Sequence, residues 1–278
     1  MKDFVPFPVD RKMCSRWASG IPRKCETMLY TSMMYQLSCT FKSYERLLPR
    51  ISKIRGAGSI AFFGKHLLKP GKEELERSYR ILSNISRLLQ NSGLQFGYLY
   101  EEEPYSGAIL IELGMRDEFT QYGRRLKTFF EERGVKRLIT VDPHTTNALV
   151  RLKEYLNWDI EVVSYITLIK GMFGKGEYVI HDSCLYSRHL GMREVIRKTV
   201  EGAGISVRED SMVTGSDTAM CCGSPVGVVN RDLGDRISKM RAAQLVSVSG
   251  RVMVMCPMCY QHLKPNIDNM VDFAEAIG

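Results

Sequence analysis

The chain runs through one order of strands, helices and turns twice, and this internal similarity constrains the fold more than any other feature. In the second half, YVIHDSC leads to a helix, a short strand, the turn AMCCGSP, a second helix and the strand RVMVM, which runs into CPMC. The first half follows the same order, from TMLYTSM through EEEPYSG to RLITVDPHT. The sequence therefore predicts a duplicated β-α-β-α-β unit.

Two residue types anchor this alignment. Gly107 matches Gly223 and Pro143 matches Pro257, so the glycine and proline are 36 positions apart in the first half and 34 in the second. Strands that alternate with helices predict an α/β fold with parallel sheets and right-handed crossovers. The predicted boundaries are an N-terminal arm over 1–27, a first repeat over 28–165 with an insertion at about 38–71, and a second repeat over 166–278.

Apolar periodicity places the two long helices of the first half. The segments ERSYRILSNISRLLQNSG and DEFTQYGRRLKTFFEERG both carry apolar residues at helical spacing. Gly93 is expected to end the first of them. The intervening segment QFGYLY is predicted to be a strand.

Five of the eight cysteines lie in the second half and follow the pattern C-x36-CC-x33-C-x2-C. Each group stands at the end of a predicted strand or in the turn after it, which is the edge where open parallel sheets bind ligands. Three separate turns are therefore expected to bring five thiols to one point. These candidate ligands are Cys184, Cys221, Cys222, Cys256 and Cys259.

Thiolate ligands are typical of zinc, Cu(I) and iron–sulfur sites. A structural zinc site uses four ligands, commonly from two CxxC pairs, whereas this chain offers five thiols and one such pair. The excess favours an iron–sulfur cluster. A zinc site and metal-free thiol redox chemistry remain the alternatives.

The first half lacks all five cysteines. Met33 stands in place of Cys184, Tyr105 and Ser106 in place of Cys221 and Cys222, and Asp142 and Thr145 in place of Cys256 and Cys259. The first half is therefore expected to keep the shape of the unit without its ligands. One hypothesis makes it a scaffold, and the other has Asp142 and His144 face the site across the interface between the repeats.

This arrangement resembles the cysteine-rich CCG domain of heterodisulfide reductase subunits B and D. It also resembles related domains in iron–sulfur subunits of glycolate, lactate and glycerol-3-phosphate oxidising enzymes. The resemblance rests on HDSC, MCCGSP and CPMCYQHL in the second half, and on LYTSMMYQL in the first, which is similar to the family's LYTGCMYQL. It implies that the five cysteines bind a non-cubane 4Fe–4S cluster at which a disulfide is cleaved or formed.

The chain departs from this family in having one competent repeat, so it is expected to bind a single cluster. The resemblance implies an oxidoreductase subunit of a heterodisulfide-reductase-like complex that reduces or forms disulfide or thiol substrates. The alternative is an electron-transfer subunit that passes electrons from a flavoprotein hydroxy-acid dehydrogenase toward quinone. An accessible pocket at the cluster would favour the first hypothesis, because the second needs no small-molecule site.

Motifs for other cofactors are missing from the sequence. There is no ferredoxin CxxCxxCxxxCP motif and no GxGxxG signature, so ferredoxin-type iron–sulfur or flavin subunits are the expected partners. The net charge of +8 fits either an acidic partner or a solvated basic surface, and no nucleic-acid motif is present. No apolar run is long enough to span a membrane, and the N-terminus has no apolar signal core. We expect a cytoplasmic protein that reaches a membrane only through a partner.

The remaining cysteines and histidines carry weaker signals. Cys14, Cys25 and Cys39 fit no cluster spacing and are interpreted as isolated thiols. His181 and His189 flank Cys184 and are candidates for proton delivery. Under the alternative, His181 is a strand residue, and the other histidines, including His262, are solvated helix residues.

Overall fold

The computed structural model describes residues 10–40 and 71–278. The insertion predicted at about 38–71 lies almost entirely outside these residues. No helix within the described ranges is both long and apolar enough to cross a membrane.

A three-stranded parallel sheet organises the first half. Strand β1 (Thr27–Tyr30) pairs with β2 (Arg137–Thr140), and β2 pairs with β3 (Glu161–Ser164). Leu138 and Ile139 point to opposite faces of the sheet, yet both are fully buried. Burial on both faces is typical of a parallel sheet covered by helices.

Six helices accompany this sheet in the described part of the first half. They are α1 (Arg11–Ser15), α2 (34–40), α3 (Lys72–Asn91), α4 (Ala108–Glu112), α5 (Arg116–Glu131) and α6 (Pro143–Leu156). The predicted helical spacing is confirmed in α3, where Leu82, Ile85 and Leu89 are buried on one face. Gly93, just beyond this helix, adopts a left-handed φ of 80°, as expected of a C-terminal glycine.

A four-stranded parallel sheet organises the second half in the order β5-β4-β6-β7. Its strands are β4 (Glu177–Ile180), β5 (Ser206–Arg208), β6 (Val252–Val254) and β7 (Met270–Asp272). Its helices are α7 (Arg193–Gly202), α8 (Ser224–Val229), α9 (Arg231–Val248), α10 (Pro257–Leu263) and α11 (Phe273–Ala276). A π-helical turn over Leu185–His189 follows β4.

The two sheets have the same strand order, so the predicted α/β architecture with parallel sheets is confirmed. The order β1-β2-β3 corresponds to β4-β6-β7. β5 pairs with β4 at the edge of the second sheet. At the corresponding edge of the first sheet, Gly97 makes a single parallel bridge to Met28. The predicted strand QFGYLY is therefore wrong beyond that bridge. Tyr100 adopts a left-handed φ of 53°, which ends the extended backbone.

The two halves pack against each other rather than standing apart. One apolar cluster joins Leu126 and Leu138 of the first half to Val254 and Leu263 of the second. Buried polar groups also cross the boundary, since the hydroxyl of Tyr35 donates to Asp272 over 2.9 Å. Side chains from the first half are therefore in a position to reach the cysteine site of the second.

The N-terminal residues described by the structure pack on the first half. Trp17 is buried with its ring 4.8 Å from that of Tyr98. The backbone carbonyl of Cys14 accepts a hydrogen bond from Gln36 over 2.7 Å. Cys14 is thus a buried thiol within this packing rather than a residue of a free linker.

Candidate iron–sulfur site

Helix starts position the cysteines of the second half. Cys256 comes two residues after the end of β6 and is the N-cap of α10, with Pro257 as the first helical residue. The sulfur of Cys256 accepts from the backbone N–H of Cys259 over 3.4 Å. Proline is favoured at this helical position because no intrahelical partner is lost there. The CPMC turn thereby brings its two sulfurs together.

Gly223 gives the CCG turn its shape. Its φ of 90° places it in the left-handed region, where it forms the N-cap of α8. A Cβ at this position would lie 2.7 Å from the carbonyl oxygen of Gly234 and 3.1 Å from Cβ of Ile237. Only glycine fits this turn without strain. The backbone N–H of Gly223 also donates to the sulfur of Cys221 over 3.4 Å.

The five cysteines form one continuous series of sulfur contacts. Thiol hydrogen bonds join Cys184 to Cys221, Cys221 to Cys222, Cys222 to Cys259, and Cys259 to Cys256. The three predicted turns do bring all five sulfurs together. Cys222, Cys256 and Cys259 are buried, whereas Cys184 and Cys221 are half-buried. The site therefore has a closed side and a side nearer the solvent.

Two of the five thiols ionise easily in the protein without metal. Hydrogen bonds from Cys184 and Cys222 hold the pKa of Cys221 well below its usual range. Burial opposes ionisation of Cys256, but the hydrogen bond from Cys259 and the charge of His144 lower its pKa to about 5. The hydrogen bond with Cys221 raises the pKa of Cys184. The series thus contains two thiolates, each bonded to at least one protonated thiol, and metal binding would release the remaining protons.

The histidines divide into buried and exposed residues. His181 is buried, and a ring nitrogen lies within 4.8 Å of the sulfurs of Cys222 and Cys259. His189 is exposed in the π-helical turn. The prediction of a solvated helix position is wrong for His262, because its Nδ1 lies 2.8 Å from the buried carbonyl oxygen of Cys222. His181 is therefore at the site, and His262 supports the CCG turn from behind.

Arg241 is a site residue that the sequence analysis missed. It is fully buried in α9 and donates through Nε to Nδ1 of His181 over 3.1 Å. The sequence carried a signal, since Arg241 lies on the helical face that also holds Gly234, Ser238 and Leu245, all of which are buried. An arginine on the buried face of a helix is expected to have a polar or charged partner nearby.

Two unpaired donors test whether these residues fit a cluster. Nε2 of His181 and Nη2 of Arg241 are buried and have no hydrogen-bond partner in the structure. Buried donors without partners are costly, which indicates that an acceptor normally occupies the space beside them. A cluster with anionic sulfides supplies such acceptors, and five thiols exceed the need of one zinc ion. The residues present therefore fit an iron–sulfur cluster.

The first half contributes His144 to this site. Nε2 of His144 lies 3.3 Å from the sulfur of Cys256, and its Nδ1 lies 2.5 Å from Oε1 of Glu112. Burial opposes protonation, but Glu112 and Cys256 hold the pKa of His144 well above its usual range. Of the two hypotheses for the first half, contact across the interface is therefore found for His144. Asp142 instead caps α6 by accepting from the backbone N–H of Thr145 over 2.9 Å.

A narrow pocket that opens to the solvent lies beside His144. Both halves line it, through helices α2, α4 and α6 of the first and α8 and α10 of the second. The lining consists of Met34, Leu37, Ser38, Tyr105, Ile109, Glu112, Leu113, His144, Ser224, Pro225, Val228 and Met258. His144 thus borders the pocket and contacts a cysteine of the site.

The counterpart of the site in the first half is filled by protein. Glu103 is fully buried, and its carboxylate accepts from the backbone N–H and the hydroxyl of Thr31 over 2.7 and 2.6 Å. The neighbouring residues Ser32 and Met33 have left-handed φ values of 51° and 58°, and their backbone N–H groups also point to Glu103. Successive N–H groups of this kind form an anion-binding nest. In the first half the carboxylate of Glu103 therefore occupies the place where the second half brings its cysteines together.

The other three cysteines lie outside the sulfur series. Cys14 is buried near Gln36, and Cys25 borders a separate basic pocket with Arg23 and Lys24. The thiol of Cys39 lies 3.2 Å from the hydroxyl of Ser78. No hydrogen bond among the described residues joins these three to the five cysteines of the second half.

Comparison with known families agrees with this geometry. Residues 178–264 match the family model described as "CCG: Cysteine-rich domain". The matched range begins in β4 and ends just after α10, so it contains all five cysteines of the sulfur series. Residues 178–264 are therefore similar to a CCG cysteine-rich domain.

Three curated proteins are similar to the chain over 66% of its length. It is 27% identical over 200 residues to the "Probable iron-sulfur-binding oxidoreductase FadF" of Bacillus subtilis. It is 28% identical over 204 residues to the "EtfAB:quinone oxidoreductase" of Syntrophomonas wolfei. It is 25% identical over 201 residues to a "Probable membrane-anchored ferredoxin" of Chromohalobacter salexigens.

These matches cover only 28%, 28% and 30% of the three relatives. Together with the family match they support an iron–sulfur cluster in this chain and are consistent with an iron–sulfur oxidoreductase. They do not reach the specific chemistry of heterodisulfide reductase.

Proposed function

We propose that this chain is the cluster-bearing subunit of an electron-transfer complex and exchanges electrons with a small molecule in the pocket beside Cys256. The proposed ligands of a single non-cubane 4Fe–4S cluster are Cys184, Cys221, Cys222, Cys256 and Cys259. One observation carries the proposal: His144 borders the pocket and lies 3.3 Å from the sulfur of Cys256. A molecule in the pocket would be separated from the cluster by little more than this side chain.

The pocket lining favours an apolar molecule. Its described residues are mostly aliphatic, aromatic or methionine side chains, and none of them is lysine or arginine. The one acidic group, Glu112, is already paired with His144. An anionic ligand would lose its hydration without gaining a free cation, whereas an apolar ring would bury against these side chains.

A quinone is the acceptor that this lining suits best. It combines an apolar ring with oxygens that accept hydrogen bonds, and Ser38, Tyr105 and Ser224 bring hydroxyl groups to the pocket lining. One of the similar proteins carries quinone in its name. When bound, the cluster would supply single electrons, while these side chains orient the quinone and exclude water.

The proposed partners are subunits that carry the cofactors for which this sequence has no motif. Electrons would arrive through a flavin or ferredoxin-type iron–sulfur subunit, and the net charge of +8 favours docking of an acidic partner. Access to a membrane quinone would come through such a partner, in line with the membrane-anchored relative.

A sulfur substrate is the second candidate. The pocket meets the expectation stated for that hypothesis, because it provides a small-molecule site next to the cysteines. Cys184 and Cys221 are also half-buried, so an iron held there would be more accessible to a substrate thiol than one held by Cys222 or Cys259. The described lining nevertheless offers no lysine or arginine to recognise an anionic disulfide, and His144 is paired with Glu112.

The test is electron exchange with two probes. Anaerobically loaded protein is reduced by dithionite, freed of excess reductant and mixed with 2,3-dimethyl-1,4-naphthoquinone or with oxidised glutathione. Reoxidation is followed by visible absorption in a stopped-flow instrument. We expect rapid reoxidation by the quinone and slow reoxidation by the disulfide; the reverse order would support the sulfur-substrate candidate and overturn the quinone proposal.

A matched pair of variants localises the reaction. Val228 lines the pocket, whereas the adjacent Val229 is 82% exposed and does not. Val228→Lys should slow the reoxidation of the reduced protein by the quinone at least tenfold, and Val229→Lys should leave this rate unchanged. Equal rates in both variants at full iron content would contradict use of this pocket.

A further inference from the structure

Arg241 is a buried cation that has no carboxylate partner among the described residues. Its guanidinium donates to Nδ1 of His181, to the carbonyl oxygen of Val213 over 2.7 Å and to the side-chain oxygen of Gln244 over 3.2 Å. Nη2 has no hydrogen-bond partner in the described part of the chain. Asp182, the acidic residue that acts on it most strongly, is held by Arg197 through both carboxylate oxygens. A fully buried charge normally requires an opposite charge beside it.

The nearest candidates for that opposite charge are the cysteine sulfurs. Cys259, Cys222 and Cys221 all act on the guanidinium, and of these three only Cys221 has a lowered pKa and is a thiolate in the protein alone. Burial nevertheless lowers the pKa of Arg241 to about 10 when no metal is present. The protein groups alone thus balance the positive charge of Arg241 only in part. The negative charge that would complete this balance is expected among the cysteine sulfurs.

Arg241 also fixes the tautomer of His181. Because Nε–H of Arg241 donates to Nδ1, that nitrogen must carry a lone pair, so the ring proton of the neutral imidazole is on Nε2. Nε2–H is buried and has no partner, and the ring lies within 4.8 Å of the sulfurs of Cys222 and Cys259. A protonated Nε2 has no lone pair for a metal. His181 is therefore placed as a hydrogen-bond donor toward the site and not as a sixth ligand.

We propose that Arg241 and His181 form a pair that sets the reduction potential of the cluster. Arg241 orients His181 as an Nε2–H donor to a sulfur of the cluster and adds its own buried positive charge. Reduction by one electron adds one negative charge and no proton. A donor and a cation next to that charge stabilise the reduced form, which raises the potential. This inference rests on the cluster proposed above, and neither residue needs to be a ligand.

A redox titration measures this effect directly. The full chain is loaded anaerobically, iron and sulfide are measured, and the cluster is titrated with dithionite and mediators while its paramagnetic signal is recorded. Arg241→Met and His181→Phe should each lower the equilibrium constant for reduction about tenfold, which is 59 mV for one electron. Their conservative counterparts, Arg241→Lys and His181→Gln, should recover most of the shift, because lysine keeps the charge and glutamine keeps an N–H donor.

Controls separate this role from a structural one. Arg236→Met removes an exposed charge from the same helix α9 and should leave the potential nearly unchanged, since solvent screens it. In metal-free protein, Arg241→Met should not destabilise the fold, because it removes an uncompensated buried charge. The double variant should shift the potential by less than the sum of the single shifts, because His181 depends on Arg241 for its orientation.

The outcomes are distinct. Wild-type potentials in both Arg241→Met and His181→Phe, at full iron content, would overturn the inference while leaving the proposed cluster intact. Protein without iron and sulfide in the wild-type chain would instead refute the cluster itself. If Arg241→Met does not load iron, the comparison of His181→Phe with His181→Gln decides the question.

Discussion

Nε2 of His144 lies 3.3 Å from the sulfur of Cys256, although the two residues come from different halves of the chain. Asp142, two residues before His144, caps α6 just as Cys256 caps α10. The half without cysteines has thus kept the helix start of the cysteine half and uses it to present a histidine. The first half is part of the site as well as its scaffold.

The first prediction concerns this histidine. His144→Leu removes the N–H next to Cys256 and the partner of Glu112 while keeping an apolar side chain of moderate size. Removing an outer hydrogen bond to a metal ligand typically costs 10–100-fold in affinity or activity. We expect electron exchange with the naphthoquinone probe to slow by about that factor at equal iron content. His189→Leu, at an exposed histidine, is the control, and equal rates in the two variants would count against a role for His144.

A second prediction tests the CCG turn. Gly223 and Gly114 both have left-handed backbones, with φ of 90° and 77°, but only Gly223 is crowded. Left-handed strain alone costs about 1–2 kcal/mol, which is the expected effect of Gly114→Ala. Gly223→Ala should cost about 1–3 kcal/mol more through overpacking against α9, and should reduce the iron bound. Urea unfolding of metal-free protein measures the first effect and iron analysis the second; equal losses in the two variants would refute the packing argument.

A third prediction concerns the turn that carries Cys184. Arg197 is buried and donates to both carboxylate oxygens of Asp182 over 2.7 and 2.8 Å. Arg197→Met leaves a buried carboxylate unpaired and should lower the free energy of unfolding by about 3–5 kcal/mol. The exposed pair of Arg208 and Glu177 serves as the control, and Arg208→Met should cost less than about 1 kcal/mol. Similar losses in both variants would show that Asp182 is not held as described.

The fourth prediction is a pH dependence of stability. Burial, which outweighs the hydrogen bonds from Thr31, Ser32 and Met33, raises the pKa of Glu103 from 4.5 to about 7. Between these values Glu103 holds a proton in the folded protein that it releases in the unfolded chain, so the share of the stability due to Glu103 falls as pH rises from about 4.5 to about 7. Cys256, whose pKa is lowered to about 5, acts in the opposite direction. The contribution of Glu103 is on the order of 3 kcal/mol.

Unfolding of metal-free protein by urea across this pH range measures the effect. Asp142 and Asp272, whose pKa values burial raises to about 6 and about 7, act in the same direction. Glu103→Gln should therefore flatten the dependence in part. An unchanged slope in that variant would contradict the assignment to Glu103.

Much of the architecture could be predicted because it depends on local patterns. The helical spacing of Leu82, Ile85 and Leu89 and the matched positions of Gly107 and Gly223 are visible in the letters alone. Both glycines indeed start helices with left-handed backbones. The strand QFGYLY failed because apolar composition does not reveal a left-handed residue such as Tyr100.

The residues around the cysteines were harder to predict because they depend on long-range packing. Arg241 is separated from His181 by 60 positions, and Glu112 from His144 by 32. Charged residues on helices are usually exposed, so nothing local marked Glu112, and only the buried helical face marked Arg241. Glu103 occupies a nest formed by Thr31, Ser32 and Met33, which no spacing rule would have linked to it.

The central claim is that five cysteines of the second half bind one iron–sulfur cluster. The direct measurement is iron, sulfide and zinc per chain after anaerobic purification, for the wild type, Cys221→Ser, Cys256→Ser and the control Cys25→Ser. We expect about four irons with matching sulfide per chain in the wild type and in Cys25→Ser. We expect a loss of iron and sulfide in Cys221→Ser and Cys256→Ser. One zinc without sulfide, or full iron in Cys221→Ser and Cys256→Ser, would contradict it.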